Sequence, residues 1–118
     1  MRMYAKLNIG LTHELKNLLS ELPYEASDIL REAVQRALVS LDVKDLSDLP
    51  QIDFKEKINI RTDFETFVLV RTLRRPDRKK FYALVNDIAL SLAKERLELR
   101  REIREKLTNL GKEVSNEG

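Results

Sequence analysis

Two stretches of the chain alternate strictly between polar and apolar residues, and apolar residues at helical spacing follow each of them. The alternating stretches are Lys6–Leu11 and Lys57–Thr62, and a period of two predicts β-strands with one buried face. Thr12 and Asp63 come next and are suited to cap a short helix at its N-terminus. A second helix follows each short one, so the pattern predicts strand, helix, turn and helix twice in one chain.

The second helix of each unit shows apolar residues at a period of about 3.6. Ser27 is predicted as the N-cap of the first of these helices, and Pro76 is predicted to open the other. The segment Phe67–Val70 has the β-branched character of a strand, but its gapless correspondence with the first unit favours a helix. Apolar positions of the last helix continue to Leu110 among alternating charges, which predicts a helix of more than about thirty residues ending at Gly111.

Residues 7–41 and 58–92 are two copies of this pattern, related by an offset of 51 positions without a gap. Eight of the 35 aligned pairs are identical, and they fall mostly on strand and helical apolar positions. A unit this small cannot bury its own apolar face, so we expect the two copies to share one core, with Leu46 and Leu49 as possible anchors between them. The predicted organisation is a first copy at 1–42, a linker at 43–56, a second copy at 57–93, a helical extension at 94–110 and a flexible tail at 111–118.

Composition mainly indicates the cellular compartment in which the protein is expected. The 118 residues include no cysteine, and 42% are hydrophobic and 36% charged. This composition predicts one compact domain without disulfides or thiolate metal sites, as in an intracellular protein. The sequence shows no signal peptide and no run of about 18 apolar residues, so a soluble, cytoplasmic protein is expected. High charge with little glycine and proline is compatible with a hot habitat.

Charge is distributed unevenly along the chain. Residues 1–42 carry a net charge of −1 and residues 43–56 a net charge of −2, whereas residues 57–118 carry +5. The densest basic stretch, 71–80, holds six cations and one anion. This asymmetry predicts a polyanionic partner for the second copy. A solvated surface loop is the alternative for such a run.

A short signature in the first copy resembles a known family. After an alternating strand and a capped helix, residues Ser27–Val34 (SDILREAV) are similar to the second helix of ribbon-helix-helix transcription regulators of the MetJ/Arc type. The second copy matches in pattern but departs at the turn, where Arg75–Arg78 stands in place of Tyr24–Ser27. Family members usually carry one copy per chain and dimerise, and the tandem arrangement resembles single-chain regulators of archaeal viruses, which would act in the host cytoplasm. The resemblance implies a mainly α fold with a short two-stranded antiparallel ribbon. The two tandem ribbon-helix-helix copies would form a pseudodimer within one chain, and a long C-terminal helix would follow.

The same resemblance implies that the ribbon enters the major groove of double-stranded DNA. Alternation turns one set of strand residues towards the helices, namely Leu7, Ile9, Leu11, Ile58 and Ile60. The outward types are suited to read base edges, because lysine and arginine match guanine O6 and N7 and asparagine matches adenine N6 and N7. The predicted base contacts are Lys6, Asn8, Gly10, Lys57, Asn59 and Arg61. Because Gly10 corresponds to Arg61, we expect an asymmetric footprint with more readout from the second copy; a merely polar surface hairpin is the alternative.

In this family the N-terminus of each second helix holds a DNA phosphate, where free N–H groups and the helix dipole favour an anion. Cations in the first turn of a helix are disfavoured by that dipole, so a docked anion would offset their cost; otherwise they simply extend into solvent. Asp28 is placed where it would weaken the phosphate site of the first copy. The predicted phosphate contacts are Ala26, Ser27, Arg75, Arg78, Lys79 and Lys80.

Catalysis has little support in the sequence. It contains no glycine-rich phosphate loop, no nucleophile elbow and no HExxH spacing. The one histidine, His13, is expected to be an exposed bystander. No enzyme activity, cofactor or metal is therefore predicted.

The C-terminal extension is the last feature without a place in a ribbon-helix-helix core. Leu99, Ile103 and Leu107 are predicted to contact either the linker leucines or another chain, and a homodimer or higher oligomer is expected on DNA. Two alternatives stay open. One is an antitoxin-like repressor whose C-terminal helix binds a partner protein, and the other is a helical interaction module without DNA binding.

Overall fold

The computed structural model describes residues 3–41 and 46–117, with side chains as far as residue 112. This part of the chain is mainly helical, with a two-stranded antiparallel sheet and a long C-terminal helix, as predicted. In chain order the elements are β1 (Tyr4–Leu11), α1 (His13–Ser20), α2 (Ala26–Ser40), β2 (Glu56–Asp63), α3 (Phe64–Arg71) and α4 (Arg75–Glu117). Phe67–Val70 is helical, which confirms the interpretation taken from the alignment. The linker residues 43–45 lie outside the described residues.

Strands β1 and β2 pair along their whole length as an antiparallel ribbon within one chain. Asn8 stands directly opposite Asn59, and the pairs on either side are Lys6 with Arg61 and Gly10 with Lys57. The apolar face packs on the helices as predicted. Its members are Leu7, Ile9, Leu11 and Ile60, which are buried, and Ile58, which is half-buried.

The core lies between this ribbon face and the helices. Buried side chains from both halves of the chain form one cluster, and its largest member, Phe81 of α4, is fully buried. Fully burying a side chain of this kind contributes roughly 1.5–3 kcal/mol relative to exposing it. Leu46 is part of the cluster and Leu49 packs against it, which confirms the predicted linker anchors. The core therefore holds the ribbon in a fixed position on the helices.

Both short helices begin with the predicted N-cap. Thr12 Oγ1 accepts a hydrogen bond from Leu15 N at 3.2 Å. Asp63 accepts one from the Thr66 hydroxyl at 2.6 Å and one from Thr66 N at 3.1 Å. These bonds favour the ionised carboxylate and hold the pKa of Asp63 below its usual range. The Asp63 carboxylate is thus engaged by α3.

The N-cap predicted at Ser27 is wrong, because α2 already begins at Ala26. Glu25 occupies the N-cap position with near-helical backbone angles, and its carbonyl accepts a hydrogen bond from Ile29 N at 2.9 Å. Glu25 N in turn donates to Leu22 O at 3.1 Å, so the turn after α1 leads the chain directly into helical geometry. Ser27 lies exposed in the first turn of α2.

Helix α4 begins at Arg75, with Pro76 in its first turn, and runs for 43 residues. The prediction that this helix ends at Gly111 is wrong, because the helix continues to Glu117. A glycine ends a helix by adopting a left-handed conformation, and no glycine in the described residues has a positive φ. A glycine inside a helix costs only about 1 kcal/mol relative to alanine, which a helix of this length tolerates. Among the described residues, no helix is long and apolar enough to span a membrane.

A buried asparagine joins the end of β1 to α4. Asn86 Oδ1 accepts a hydrogen bond from Thr12 N at 2.8 Å, and Asn86 Nδ2 donates to Gly10 O at 2.8 Å and to Tyr82 O at 2.7 Å. The side chain satisfies backbone groups on both sides of Leu11, which have no other strand to pair with at this point. It therefore fixes the distance between the ribbon and the N-terminal half of α4.

Replacing Asn86 with alanine is expected to destabilise the protein by about 2–4 kcal/mol, because it leaves buried backbone groups without partners. Urea unfolding followed by circular dichroism measures the change. Asn17→Ala, on the exposed surface of α1, is the matched control and should stay within about 0.5 kcal/mol of the original chain. Equal stability of the Asn86 and Asn17 variants would contradict a structural role for Asn86.

Candidate nucleic-acid interface

The outward face of the ribbon carries five of the six predicted base contacts in exposed positions. They are Lys6, Asn8, Lys57, Asn59 and Arg61. In the register of the ribbon, Asn8 faces Asn59 at the centre and Lys6 faces Arg61 at one end. Lys57 faces Gly10 at the other end. Such a face presents several hydrogen-bond donors and, at Asn8 and Asn59, acceptors as well.

The positive charge of this face is not neutralised by its neighbours. Lys6 and Arg61 stand directly opposite each other, and like charges in that position destabilise a strand pair. No ion pair within the described residues involves Lys6, Lys57 or Arg61. The Arg61 guanidinium lies 4.2 Å from the centre of the Tyr4 ring, a cation–π contact that leaves its donors available. The face is therefore suited to an anionic ligand.

Gly10 is the exception, and its prediction as a base contact is wrong. The register points it outward, yet it is buried, because Phe54 from the linker covers it. A Cβ atom at position 10 would lie 2.7 Å from Phe54 Cβ and closer still to two atoms of the Phe54 ring. The outward surface at position 10 is therefore formed by the side chain of Phe54 and not by Gly10 itself.

Beside this surface, a groove of about 540 Å³ lies between the ribbon and the N-terminus of α4. Five cations line it, namely Lys57, Arg71, Arg75, Arg78 and Lys79. Among the described residues of its wall, Asp53 is the one carboxylate. This basic groove brings three predicted phosphate contacts, Arg75, Arg78 and Lys79, next to the predicted base contacts Asn8 and Lys57. Lys80 is half-buried and lies outside the groove wall.

Two interactions set the electrostatics of the basic groove. Asp53 forms an ion pair with Lys79. The hydrogen bond that Lys79 donates and the positive charge of its ammonium group both lower the pKa of the Asp53 carboxyl. Burial raises the pKa of the Tyr82 phenol, whereas the nearby charges of Arg78 and Arg71 act in the opposite direction. Tyr82 is therefore a neutral hydroxyl at the wall of a strongly cationic groove.

The corresponding surface of the first copy is less basic. Arg31 of α2 donates a hydrogen bond to the Arg61 carbonyl at 3.3 Å, and Asp28 forms an ion pair with Arg31. Ala26 is half-buried and Ser27 exposed at the start of α2, as the prediction of a helix N-terminus requires. The predicted effect of Asp28 is consistent with this placement, since its carboxylate lies in the same first turn.

Glu25 adds a second acid at the start of α2, and α4 neutralises it. Arg96 and Arg100 approach the two Glu25 carboxylate oxygens at 2.9 Å and 2.8 Å. Both arginines lie on the part of α4 that extends beyond the core. These arginines therefore hold the N-terminus of α2 to α4 through charge.

Further along α4, four large apolar side chains are exposed on one face. Leu99, Ile103, Leu107 and Leu110 are 54%, 49%, 64% and 56% exposed, and their spacing of four, four and three residues keeps them in one row. We call this row the C-terminal stripe. Of the two contacts predicted for Leu99, Ile103 and Leu107, packing on the linker leucines is wrong, because these three side chains are about half exposed. Contact with another chain stays a prediction.

Sequence reasoning missed several residues that shape this surface, including Tyr4 beside Arg61 and Asp53 in the groove wall. Arg71 belongs to the recognised basic run and had a signal, and Asn86 interrupts an apolar helix face, which is a signal for a buried polar group. Phe54 and Tyr82 reach the site only through tertiary packing, so no local pattern marks them. His13 is exposed, and the described residues contain no cluster of acids, histidines and cysteines that could hold a metal ion.

Compared with known proteins, the chain matches no family model, no curated protein sequence and no solved structure.

Proposed function

We propose that the chain binds double-stranded DNA sequence-specifically as a transcription regulator, with the ribbon in the major groove and the basic groove on a neighbouring phosphate. The observation that carries this proposal is the exposed ribbon face, which offers three cations and two asparagines with no acidic partner among the described residues. A two-stranded ribbon fits the width of the major groove, where each base pair presents its own pattern of donors and acceptors. Adjacent cations would fix its position on the phosphates.

Internal symmetry supports the proposal that the chain is a ribbon-helix-helix pseudodimer. Asn8 and Asn59 are related by the 51-residue offset and also stand opposite each other, as the central residues of two antiparallel copies would. Buried positions correspond across the same offset. These are Ile9 with Ile60, Leu15 with Thr66, Leu19 with Val70, Leu30 with Phe81, and Val34 with Val85.

The differences between the copies support an asymmetric footprint. The basic groove carries five cations beside the second copy's long helix, whereas the start of α2 carries Asp28 and the neutralised Glu25. The stronger phosphate contact therefore belongs to α4. A dimer of identical subunits cannot differ in this way, but a tandem chain can.

Fluorescence anisotropy with a labelled random-sequence duplex at several salt concentrations tests the proposal. We expect log affinity to fall linearly with log salt, with a slope of roughly −0.9 for each phosphate neutralised. Repeated binding and amplification from a random pool should then enrich one sequence, called the selected duplex below. Absence of binding at low salt, or affinity that does not respond to salt, would contradict the proposal.

Replacing Asp53 with asparagine is expected to tighten binding to any duplex by about three- to tenfold, because it removes a like charge from the phosphate site and releases Lys79. Asp87→Asn, which removes an exposed charge elsewhere on α4, is the control for net charge. Since Lys79 lowers the pKa of Asp53, the carboxylate stays ionised and the gain should be equal at about pH 6 and about pH 8. Equal affinity of the Asp53 and Asp87 variants would show that Asp53 does not face the DNA.

The exposed C-terminal stripe favours a second role in association, and we propose a second copy of this chain as its partner. At about 3.6 residues per turn, Arg100 and Arg104 lie along one edge of the stripe, whereas Glu95, Glu102 and Lys106 lie along the other, so that one edge is basic and the other is acidic on balance. Parallel helices bring unlike edges together, and antiparallel helices bring like edges together. The edges are therefore complementary in a parallel pair and repel in an antiparallel one.

Single cysteines test this arrangement, because the chain has none of its own. In a parallel pair, Leu99→Cys and Leu110→Cys should each form disulfide-linked dimers by themselves under mild oxidation, whereas Glu105→Cys, on the far side of the helix, should not. Cross-linking only in a mixture of the Leu99 and Leu110 variants would show antiparallel pairing. Monomers throughout would overturn self-association and leave the stripe to a different partner protein.

A further inference from the structure

The corner of the ribbon at Gly10 has an unusual construction. By register, residue 10 is an outward ribbon position in line with Asn8 and opposite Lys57. Its side-chain space is filled by Phe54, from two residues before β2. Any larger residue at position 10 would push Phe54 away, since even a Cβ would approach three of its atoms within 3.0 Å. The surface at this position is therefore a phenylalanine ring that comes from a different part of the chain.

The Phe54 ring is not part of the buried core. Phe54 is half-buried, it is absent from the buried cluster, and it forms part of the basic groove wall together with Asn8 and Lys57. Hydrogen-bonding groups thus surround an apolar patch on the face that we assign to base reading. An aromatic ring left partly in water at such a place loses part of the gain from burial unless a ligand covers it.

We propose that Phe54 supplies the base-reading side chain that Gly10 lacks, and that it contacts the 5-methyl group of a thymine. This inference rests on the proposed DNA-binding function. In the major groove the bases offer nitrogen and oxygen donors and acceptors, and the thymine methyl is the one apolar group among them. A phenylalanine ring cannot satisfy the polar groups of the other bases, so it favours thymine where it meets the groove. Gly10 leaves the room that the ring needs.

The test uses the selected duplex with one thymine at a time replaced by uracil, which removes only the methyl group. We expect the original chain to lose about fourfold in affinity at one position, the value for one buried methyl-sized group. Phe54→Ala should show no loss at that position and unchanged losses elsewhere. Phe54→Leu, which keeps an apolar cover over Gly10, should retain most of the loss.

A second measurement needs no variant and so does not depend on folding. The same thymine is replaced by 5-iodouracil, and irradiation should cross-link the original chain at Phe54, as identified by mass spectrometry. Uracil replacement without effect at every position, an effect equally large in Phe54→Ala, or cross-links only to other residues would each overturn the inference. If the original chain binds no duplex at all, the proposed function itself is wrong, which is a separate outcome.

Discussion

Replacing Arg75 and Arg78 together with alanine is expected to weaken binding to every duplex alike, by roughly 10- to 100-fold at 0.1 M salt. Both side chains line the basic groove at the start of α4, which the proposed function assigns to the DNA backbone and not to the bases. Removing two phosphate contacts should also make the slope of log affinity against log salt less steep by about 1.8. Anisotropy titrations with the random-sequence and selected duplexes measure both effects.

The matched control is the double replacement of Arg101 and Lys112 with alanine, on the side of α4 away from the C-terminal stripe. These residues lie on the same helix, are exposed, and change the net charge by the same amount. Because they lie outside the basic groove, binding should change by no more than about twofold. If the two double variants weaken binding equally, overall charge and not the groove accounts for the affinity.

Replacing Arg61 with alanine is expected to reduce specificity far more than general affinity. The guanidinium is exposed on the ribbon face and is oriented by the Tyr4 ring at 4.2 Å. A bidentate contact with guanine O6 and N7 contributes about 1–3 kcal/mol of discrimination, which corresponds to roughly 5- to 150-fold. Competition with duplexes substituted at each base pair should show this loss at one position. Equal losses at all positions would assign Arg61 to the phosphate backbone instead.

Arg61→Lys separates charge from geometry in the same assay. Lysine keeps the positive charge but cannot present the planar fork of a guanidinium. We therefore expect an unchanged salt slope with reduced discrimination at the position that Arg61 reads. A lysine variant with full discrimination would show that charge alone is sufficient there.

Local chemistry explains which parts of the fold could be predicted from the sequence. Strand alternation and the caps at Thr12 and Asp63 depend on neighbours within a few residues, and the structure confirms them. Two helix ends that were predicted from residue type alone were wrong. Ser27 is displaced from the cap because the preceding turn is already helical, and Gly111 does not end α4 because its backbone stays right-handed.

The candidate site was predictable only in part for a different reason. Alternation correctly identified five of the six outward ribbon residues as exposed, and the basic run indicated most cations of the groove. The surface at Gly10 depends on Phe54, which is 44 positions away in sequence, and the hydrogen bond from Asn86 to the Gly10 carbonyl spans 76 positions. Contacts of this kind arise when the core brings the linker and α4 against the ribbon, so no local pattern contains them.

Methylation interference on the selected duplex tests most directly whether the ribbon reads the major groove. Dimethyl sulfate modifies guanine N7, which faces the major groove, and adenine N3, which faces the minor groove, so one reaction reports on both. Insertion of the ribbon predicts that guanine N7 methylation within about one turn of helix blocks binding, while adenine N3 methylation at A·T pairs within the same turn does not. Interference from adenine N3 alone, or from neither position, would contradict the account.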